Sequence, residues 1–440
     1  MADTQTKNLG EAARVTSMRR QDALYIEVDG STRRIKMSDF IEALNDGQSQ
    51  LLHEVAWGIP ILDELQTSPQ WGMVGNTAAY AAYKSRCGRY LMDANGRAAK
   101  LHKNASDLFA DGAPLDETKG SVMVIAPRLY YLYLVDAETS VPYLWMSEQP
   151  ISEHFIGEAG NGQFNVIGAY KGSVAGGALV SRSGVDMDGS KNITAYWNAA
   201  KAFGPNFGIV SYKLWQLMCM LCLCETGGNA NIQAGIGMGV GGSGIDWSLV
   251  TASATLRKTG GTKTLGDATG AVPIVDPDAK ADSCHVSVLG IENFWNQQFE
   301  FIQNVFCGNS GNDGRDGTEI FIYEGNRLPT AAELAATPSG AFRQLTRLTT
   351  SGYIKSLLKG EYFDVFAKAL GGASNSNLCD YNYANNTGQV LAVGGHATYG
   401  PNSGPFCANS GNGWSVASLN FGARPAYYGQ VTLVDGAALQ

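Results

Sequence analysis

The sequence predicts an α+β protein, and three segments carry that prediction. Residues 120–150, GSVMVIAPRLYYLYLVDAETSVPYLWMSEQP, alternate β-branched and aromatic residues around a turn at 136–140, which is typical of paired strands. The segment YKLWQLMCMLCLCE follows Ser211 and is apolar nearly all round, so it predicts a buried central helix capped by that serine and stopped by Gly227 and Gly228. The run QVLAVGG at 389–395 predicts a further strand near the end of the chain.

The first 50 residues predict a small module of their own. LYIEV and RRIKM flank the turn residues Asp29 and Gly30, which indicates a hairpin, and Ser38 can cap a short helix through Leu44. A unit of this size is too small to be stable alone, so we expect it to attach the chain to something larger. The chain is therefore divided into an attachment module at 1–50, a β-rich region at 51–160 and a C-terminal domain at 161–440.

Other segments predict the remaining elements of the C-terminal domain. The glycine-rich segment 227–244 follows a helix instead of a strand and lacks a Gly-Lys-Ser/Thr sequence, so we expect a flexible loop that binds no phosphate. The other elements, in order, are a strand at 164–172, a helix from about Thr194, an irregular insertion at 245–283, a strand followed by a helical or extended run at 287–308, a strand at 317–326 and short helices and turns at 342–372.

Composition and charge exclude several classes of partner. The 440 residues carry a formal net charge of -8, and no Lys/Arg run marks a face for phosphate, which argues against nucleic acid and against an anionic membrane surface. The N-terminus lacks the apolar stretch of a signal peptide, and the most apolar run, 214–224, is too short to span a bilayer. We therefore expect a soluble protein made in the cytosol, without membrane insertion.

Neither cofactor chemistry nor a metal site is expected. Cys219, Cys222 and Cys224 have a metal-like spacing, but they lie in an apolar run without the second pair that a zinc site needs, so buried thiols are the prediction. The five His are scattered without ligand spacing. Cys379 and Cys407 are expected to stay thiols, and no pair of carboxylates is marked for glycoside hydrolysis. The sequence thus predicts a protein that is not an enzyme.

Three separated motifs resemble a known family. They are GIENFWNQQFEF at 290–301, VGG at 393–395 and NFGARPAYY at 420–428, and together they are similar to the C-type-lectin-like domain of bacteriophage and prophage surface proteins. That group includes the targets of diversity-generating retroelements and is distantly similar to formylglycine-generating enzymes. The resemblance extends over roughly residues 75–430, and one departure is Phe294, which changes the aromatic spacing before Trp295 by one. The matched positions are Gly290, Ile291, Glu292, Asn293, Trp295, Asn296, Gly394, Gly395, Gly404, Phe406, Gly422, Ala423 and Arg424, and the fold motif is assigned to Gly290, Glu292, Asn293, Trp295, Gly394, Gly395, Gly422 and Arg424.

The resemblance implies structural roles for these matched positions. Glu292 and Trp295 are expected to be core or structural residues, and Arg424 is expected to order the fold through guanidinium hydrogen bonds. The enzymatic relatives use a closely spaced cysteine pair, whereas Cys379 and Cys407 are far apart in the sequence. The resemblance therefore adds no reason to expect catalysis.

The composition of residues 375–420 predicts that this segment forms a ligand-binding face. It contains nine Asn and a single charged residue, Asp380, and it mixes Tyr, Trp, Ser and Gly as antibody loops do. Such a surface recognises a glycan or a protein loop by shape, stacking and amide hydrogen bonds; the alternative is a polar, loop-rich end that binds nothing. The predicted face comprises Tyr381, Tyr383, Asn385, Asn386, His396, Tyr399, Asn402, Phe406, Asn409, Asn412 and Trp414.

The resemblance implies a function in a virus particle. We expect a structural virion protein of a tailed bacteriophage, a tail- or head-fibre or spike subunit that binds the host surface through its C-terminal domain. The N-terminal module would contact other virion proteins, and the family implies a homotrimer, although the chain has no heptad repeat. The alternative is a capsid or tail decoration protein without a receptor.

Overall fold

The chain forms a mixed α/β structure made mostly of strands, which agrees with the predicted α+β class. The computed structural model describes residues 24–28, 31–35, 53–62, 72–136, 140–151, 155–157, 163–308, 310, 315–323, 327–330, 333 and 341–440. The α-helices in these residues are α1 (Thr77–Arg86), α2 (Ile193–Phe203), α3 (Tyr212–Glu225), α4 (Ile232–Gly235), α5 (Trp247–Ala252) and α6 (Ala254–Arg257). Short 3-10 helices lie at Glu117–Lys119, Lys263–Leu265, Gly400–Asn402 and Gly436–Leu439.

Strands are short and numerous along the described chain. They are β1 (Leu24–Val28), β2 (Ser31–Ile35), β3 (Trp57–Pro60), β4 (Val74–Gly75), β5 (Gly88–Met92), β6 (Arg97–His102), β7 (Ala105–Phe109), β8 (Ser121–Pro127), β9 (Tyr130–Val135), β10 (Pro142–Ser147), β11 (Ile156–Gly157), β12 (Phe164–Gly168), β13 (Ser173–Ala175), β14 (Ala178–Val180), β15 (Phe207–Ile209), β16 (Gly270–Pro273), β17 (Cys284–Val288), β18 (Ile291–Glu292), β19 (Phe299–Cys307), β20 (Glu319–Tyr323), β21 (Ala341–Thr346), β22 (Gly352–Lys359), β23 (Asp364–Leu370), β24 (Tyr381–Ala384), β25 (Val390–Gly394), β26 (Gly404–Asn412), β27 (Phe421–Gly422), β28 (Pro425–Tyr427) and β29 (Thr432–Val434).

Two large sheets organise the chain. One has the strand order β21-β20-β19-β25-β26-β24-β22-β23, with β27 added in parallel to β19. The other has the order β15-β28-β12-β8-β5-β6-β29, and β7 pairs with β6. A five-stranded sheet, β11-β9-β10-β3-β4, contains two strands of the predicted segment 120–150, β9 and β10, whereas the first strand of that segment, β8, lies in the eight-stranded sheet.

The predicted domain boundary at residue 160 does not divide the structure. The eight-stranded sheet joins β5, β6 and β8, from before that position, to β12, β15, β28 and β29, from after it. The largest core cluster likewise runs from Trp57 to Leu439. Because the chain returns at its C-terminus to complete this sheet, residues 51–160 and 161–440 share one core. This pairing is long-range, and the local composition on which the boundary was based carries no signal of it.

The predicted central helix is confirmed as α3. Twelve of its fourteen residues are buried, and the Ser211 side chain accepts from the Leu214 amide at its start. Gly227 and Gly228 follow it with φ of +64° and +96°, the left-handed conformation that ends helices. Its three cysteines are buried thiols, as predicted. The helix at 193–203 and the strands at 164–168 and 319–323 also agree with the prediction.

Two predictions of local structure are wrong. Residues 342–372 do not form short helices, because they belong to β21, β22 and β23; the last two form a hairpin that turns at Lys359 and Gly360, both with positive φ. The glycine-rich segment 227–244 is a packed element and not a free loop. Asn296 donates from Nδ2 to the carbonyls of Met238 and Gly242 at 2.7 and 2.8 Å, which fixes the segment against the residues that follow the GIEN motif.

The N-terminal module is described only in part. β1 and β2 form the predicted antiparallel hairpin, in which Val28 pairs with Ser31. The helix predicted from Ser38 through Leu44 lies outside the described residues. Among the helices that the structure describes, none is long and apolar enough to cross a membrane.

A candidate binding face on the nine-stranded sheet

The predicted ligand-binding residues gather around three neighbouring strands of the nine-stranded sheet. β26 lies between β25 and β24, and it pairs with β24 in parallel so that Tyr383 stands beside Asn409. Side chains alternate between the two faces of a strand, so Tyr381 and Tyr383 share one face. On that face Tyr383 and Tyr399 pack against a buried cluster that includes Phe299. The segment 375–420 is therefore a folded part of the sheet.

Four half-buried tyrosines form a continuous row, the tyrosine ladder: Tyr353, Tyr381, Tyr383 and Tyr399. Successive ring centroids are 5.0, 4.6 and 4.4 Å apart, with edge, tilted and stacked geometry in turn. Aromatic pairs at such distances are each worth about 0.5–1.5 kcal/mol beyond their buried area, so the rings hold one another in place. The ladder is a rigid aromatic surface with its outer edges in solvent.

Asn402 fixes the polar edge of the ladder. Its Oδ1 accepts from the Tyr353 hydroxyl at 2.6 Å, and its Nδ2 donates to the Tyr383 hydroxyl at 3.1 Å. The residue ends the short 3-10 helix Gly400–Asn402. One amide therefore sets the positions of two hydroxyl groups before any ligand arrives, which lowers the entropy lost on binding.

A second group of amides lies at the other end of β24 and β26. Asn385 and Asn386 are exposed in the turn after β24, and Asn385 donates from Nδ2 to the Gly411 carbonyl at 2.8 Å. On β26, Asn412 donates from Nδ2 to Oδ1 of Asn409 at 2.8 Å. The Asn385 bond joins the turn after β24 to β26, and Asn385 Oδ1 accepts from the amide and hydroxyl of Thr387. The side chain of Asn386 is exposed and that of Asn412 is half-buried, so both reach the surface.

Trp414 is held at three points next to these amides. Its backbone amide donates to Oε1 of Gln389 at 3.0 Å, and its indole Nε1 donates to Oγ1 of Thr194 at 3.1 Å, just inside α2. The ring lies 6.3 Å from that of Phe306. The indole N–H is thus already used within the protein, and the half-buried ring offers a ligand apolar area only.

Three residues predicted for the face are buried instead. Phe406 has 0% exposure because it alternates with Cys407 on β26 and points into the opposite core. His396 is 4% exposed, with its ring centroid 3.8 Å from that of Tyr399. Burial lowers the pKa of His396 to about 4, so the ring is neutral at neutral pH. Asn409, at 7% exposure, supports Asn412 from below. These corrections follow from strand alternation, which a residue type alone does not reveal.

One residue of the ladder, Tyr353, is absent from the sequence-based set. It lies on β22, directly opposite Tyr381 on β24. Its segment was predicted as helices and turns, so nothing placed it near residue 381. The apolar residues of GYIKSLLK at 352–359 come in two adjacent pairs and do not alternate, so the sequence carried no strand signal there.

The segment 375–420 presents no formal charge to solvent. Its single charged residue, Asp380, is 1% exposed and accepts from the Phe406 amide at 2.7 Å through Oδ2. Burial raises the pKa of this carboxyl to about 7. A neutral surface of tyrosine rings, hydroxyls and amides can bind a ligand by stacking and hydrogen bonding.

Arg424 ties this sheet to its surroundings through hydrogen bonds, as predicted. The guanidinium is fully buried and donates to both carboxylate oxygens of Glu300, at 3.0 and 2.7 Å. It also donates to the Glu292 carbonyl at 2.7 Å, and Lys171 pairs with Glu300 at 2.6 Å. Glu300 lies on β19, so the buried cluster Lys171–Glu300–Arg424 fixes the strand beside β25.

The other matched positions also have structural roles. The Glu292 carboxylate accepts from the amides of Gly260 and Thr262, each at 2.7 Å, and Trp295 is fully buried, which confirms the structural roles expected of both. Gly290 and Asn293 adopt positive φ around the β18 turn.

The matched glycines allow close approach of backbone and side chains. Gly394 has φ of +89°, and a Cβ there would collide with the Phe294 carbonyl. A Cβ on Gly395 would meet the Ser403 side chain, and one on Gly422 would meet that of Gln298.

No arrangement for metal binding appears in the described parts of the chain, where no group of three or more His, Cys, Asp or Glu could hold an ion. Cys379 and Cys407 are both buried free thiols. Compared with known proteins, the chain matches no protein-family model and no curated protein.

Proposed function

We propose that the chain is a non-enzymatic structural protein of a tailed bacteriophage particle, a fibre or spike subunit, and that the face built on β24 and β26 binds the host surface. The observation that carries this proposal is the tyrosine ladder with its amide partner, Asn402. Rigid aromatic rings, fixed hydroxyls and exposed amides are the components of surfaces evolved to recognise a partner. A structural end of the chain would need neither a half-buried row of four tyrosine rings in contact nor an amide that orders two of their hydroxyls.

The proposed fold of the part of the chain that contains the GIEN, VGG and GAR motifs is C-type-lectin-like. The similarity of the GIEN, VGG and GAR motifs supports it, and one residue of each has a structural contact: Glu292 accepts from the Gly260 amide, Gly394 lies against the Phe294 carbonyl, and Arg424 donates to Glu300 on β19. On this proposal residues 1–50 attach the chain to other virion proteins, the subunit is a homotrimer, and the segment 375–420 is the region that a diversity-generating retroelement would vary.

The neutral face favours a glycan or a protein loop as the partner on the host. Because Asp380 is buried, recognition through the segment 375–420 depends on shape, stacking and amide hydrogen bonds and not on charge. We therefore expect binding to be nearly independent of salt, in contrast to phosphate or nucleic-acid recognition.

The proposal is tested by the adsorption of particles that carry altered chains. Tyr383→Ala and Tyr399→Ala each remove one ring of the ladder, and we expect adsorption to host cells to weaken about tenfold, or ~1.4 kcal/mol. Tyr143→Ala is the matched control, because Tyr143 is also a half-buried ring in contact with another aromatic, Trp145, at 6.0 Å. Thermal unfolding verifies that each variant is folded.

Two outcomes would count against the proposal. Unchanged adsorption by both ladder variants, with normal particle assembly, would reject receptor binding at this face and favour a capsid or tail decoration protein. Equal loss with Tyr143→Ala would show that the effect reports general destabilisation.

A further inference from the structure

A concave surface that contains none of the ladder tyrosines lies on strands of the eight-stranded sheet. It is a cleft of about 850 Å³, a volume usual for small-molecule sites. Strands β5, β6, β8 and β12 contribute to its floor, and β9 and the residues after β10 contribute to its wall. We call it the cationic cleft, because three cationic residues line it. Three aromatic residues line it as well, and the six are Arg86, Lys100, Arg128, Tyr90, Tyr130 and Phe164.

The charge of this cleft is opposite to that of the chain. Three cationic side chains and one carboxylate, that of Glu148, line it, and the Asp267 carboxylate lies 2.9 Å from the Lys100 ammonium, so the described residues give it a surplus of one positive charge. The whole chain carries a net charge of -8. A local surplus of this sign in an acidic protein attracts anions, because low-dielectric walls focus the field of the charges.

Two of the three cations already have carboxylate partners. Arg86 pairs with Glu148, and Lys100 Nζ lies 2.9 Å from Asp267 Oδ2 and 4.7 Å from the centre of the Tyr90 ring. These pairs hold the cations at the cleft wall.

Arg128 differs from both other cations. Its guanidinium lies 5.3 Å from the centre of the Tyr130 ring, and within the described residues it has no ion pair. Its Nε is buried and lacks a hydrogen-bond partner. A guanidinium without an ion pair presents a planar set of donors that suits a carboxylate.

The shape of the floor indicates what kind of carboxylate fits. β5 pairs with both β6 and β8, and β8 pairs with both β5 and β12. These central strands offer no free edge to which an extended peptide could add as a further strand. Recognition must come from side chains, and flat rings such as Phe164 and Tyr130 suit a compact ligand with a flat apolar face.

We propose that the cationic cleft is a second binding site, which takes an acidic sugar of the uronic acid type. Its carboxylate is held by Arg128, and its pyranose ring lies against the aromatic rings of the wall. Gln149 and Gln163, which also line the cleft, supply amide groups for sugar hydroxyls. This site is independent of the tyrosine ladder and differs from it in recognising charge.

The test uses calorimetric titration of the full chain with trigalacturonate and with neutral galactotriose. We expect only the acidic sugar to bind, and its affinity to fall as NaCl is raised. Arg128→Gln should weaken binding about tenfold, because it removes a charged hydrogen bond. Arg128→Lys should retain part of the affinity. Lys201→Gln is the matched control, since Lys201 also lies over an aromatic ring, that of Trp197, at 5.2 Å, but outside the cleft. Tyr383→Ala should leave this binding unchanged.

Each contrary result overturns the proposal. These results are no binding of trigalacturonate, equal binding of galactotriose, or an Arg128→Gln variant that binds as well as the unaltered chain. Hexaglutamate is the third probe: tighter binding than trigalacturonate, with the same dependence on Arg128, would reject the sugar and assign an acidic peptide. If circular dichroism shows that Arg128→Gln is not folded, two measurements still test the proposal. They are the affinity of Arg128→Lys for trigalacturonate and the comparison of trigalacturonate with galactotriose on the unaltered chain.

Discussion

Asp380 gives the sharpest prediction about the support of the binding face. It precedes β24, and its carboxylate accepts the amide of Phe406 on β26, so it joins the two strands beneath the tyrosine ladder. Burial raises its pKa from 3.8 to about 7. Between these two values the folded state holds a proton that the unfolded state has released. The contribution of Asp380 to the free energy of unfolding therefore falls as pH rises through this window and stays constant above it.

The magnitude follows from the two pKa values. The interval between 3.8 and about 7 corresponds to about 4 kcal/mol, at ~1.4 kcal/mol for each pH unit. Asp380→Asn removes the titration and keeps an oxygen that can accept the Phe406 amide. We expect the free energy of unfolding of the variant, minus that of the unaltered chain, to rise by about 4 kcal/mol between about pH 4 and pH 8.

The assay is urea unfolding followed by tryptophan fluorescence at a series of pH values. Taking the difference between two chains cancels the titration of groups they share. Asp316→Asn is the control, because Asp316 is exposed and its hydrogen bonds with Thr318 lower its pKa, which places its titration below the measured window. A difference for Asp380→Asn that stays flat with pH would refute the account of this carboxyl as protonated in the folded chain.

Two further predictions concern the supports of the sheet. Arg424→Gln leaves the Glu300 carboxylate buried with only Lys171 as a cation, so unfolding free energy should fall by about 3–5 kcal/mol in urea titration, and a loss below about 1 kcal/mol would contradict that role. Gly394→Ala adds both left-handed backbone strain and a collision of the new Cβ with the Phe294 carbonyl, so it should lower Tm more than Gly112→Ala does. At Gly112 φ is +87°, but no atom lies within 4 Å of the added Cβ. Equal losses of Tm in the two variants would reject the collision.

The sequence predicted local elements well where a short segment contains the whole signal. The Ser211 cap, the apolar run and the two glycines define α3 within one continuous segment. The same holds for β8, β9 and β10, whose alternation and turn lie within about thirty residues. It failed at 342–372, where β22 and β23 depend on pairing for their structure, and tertiary pairing overrode a local preference for turns.

The candidate face was predicted as a region but not residue by residue. Composition alone pointed to 375–420, because amides and tyrosines outnumber charges there. Whether Phe406 or Tyr383 faces outward depends on the phase of each strand relative to the core, and a shift of one residue reverses every side chain. Tyr353 entered the ladder only through the pairing of β22 with β24.

Two charged residues, Asp380 and Arg128, show what the sequence determined and what only the tertiary structure decided. The sequence by itself determined that residues 375–420 contain a single charged residue. Only the tertiary structure decided that Asp380 is buried, so that this segment is neutral toward solvent. It also decided that Arg128 lies in the cationic cleft over the Tyr130 ring and has no ion pair with any residue that the structure describes. The physical reason is that composition fixes which charges exist, whereas burial and pairing across distant strands decide which of them reach a ligand.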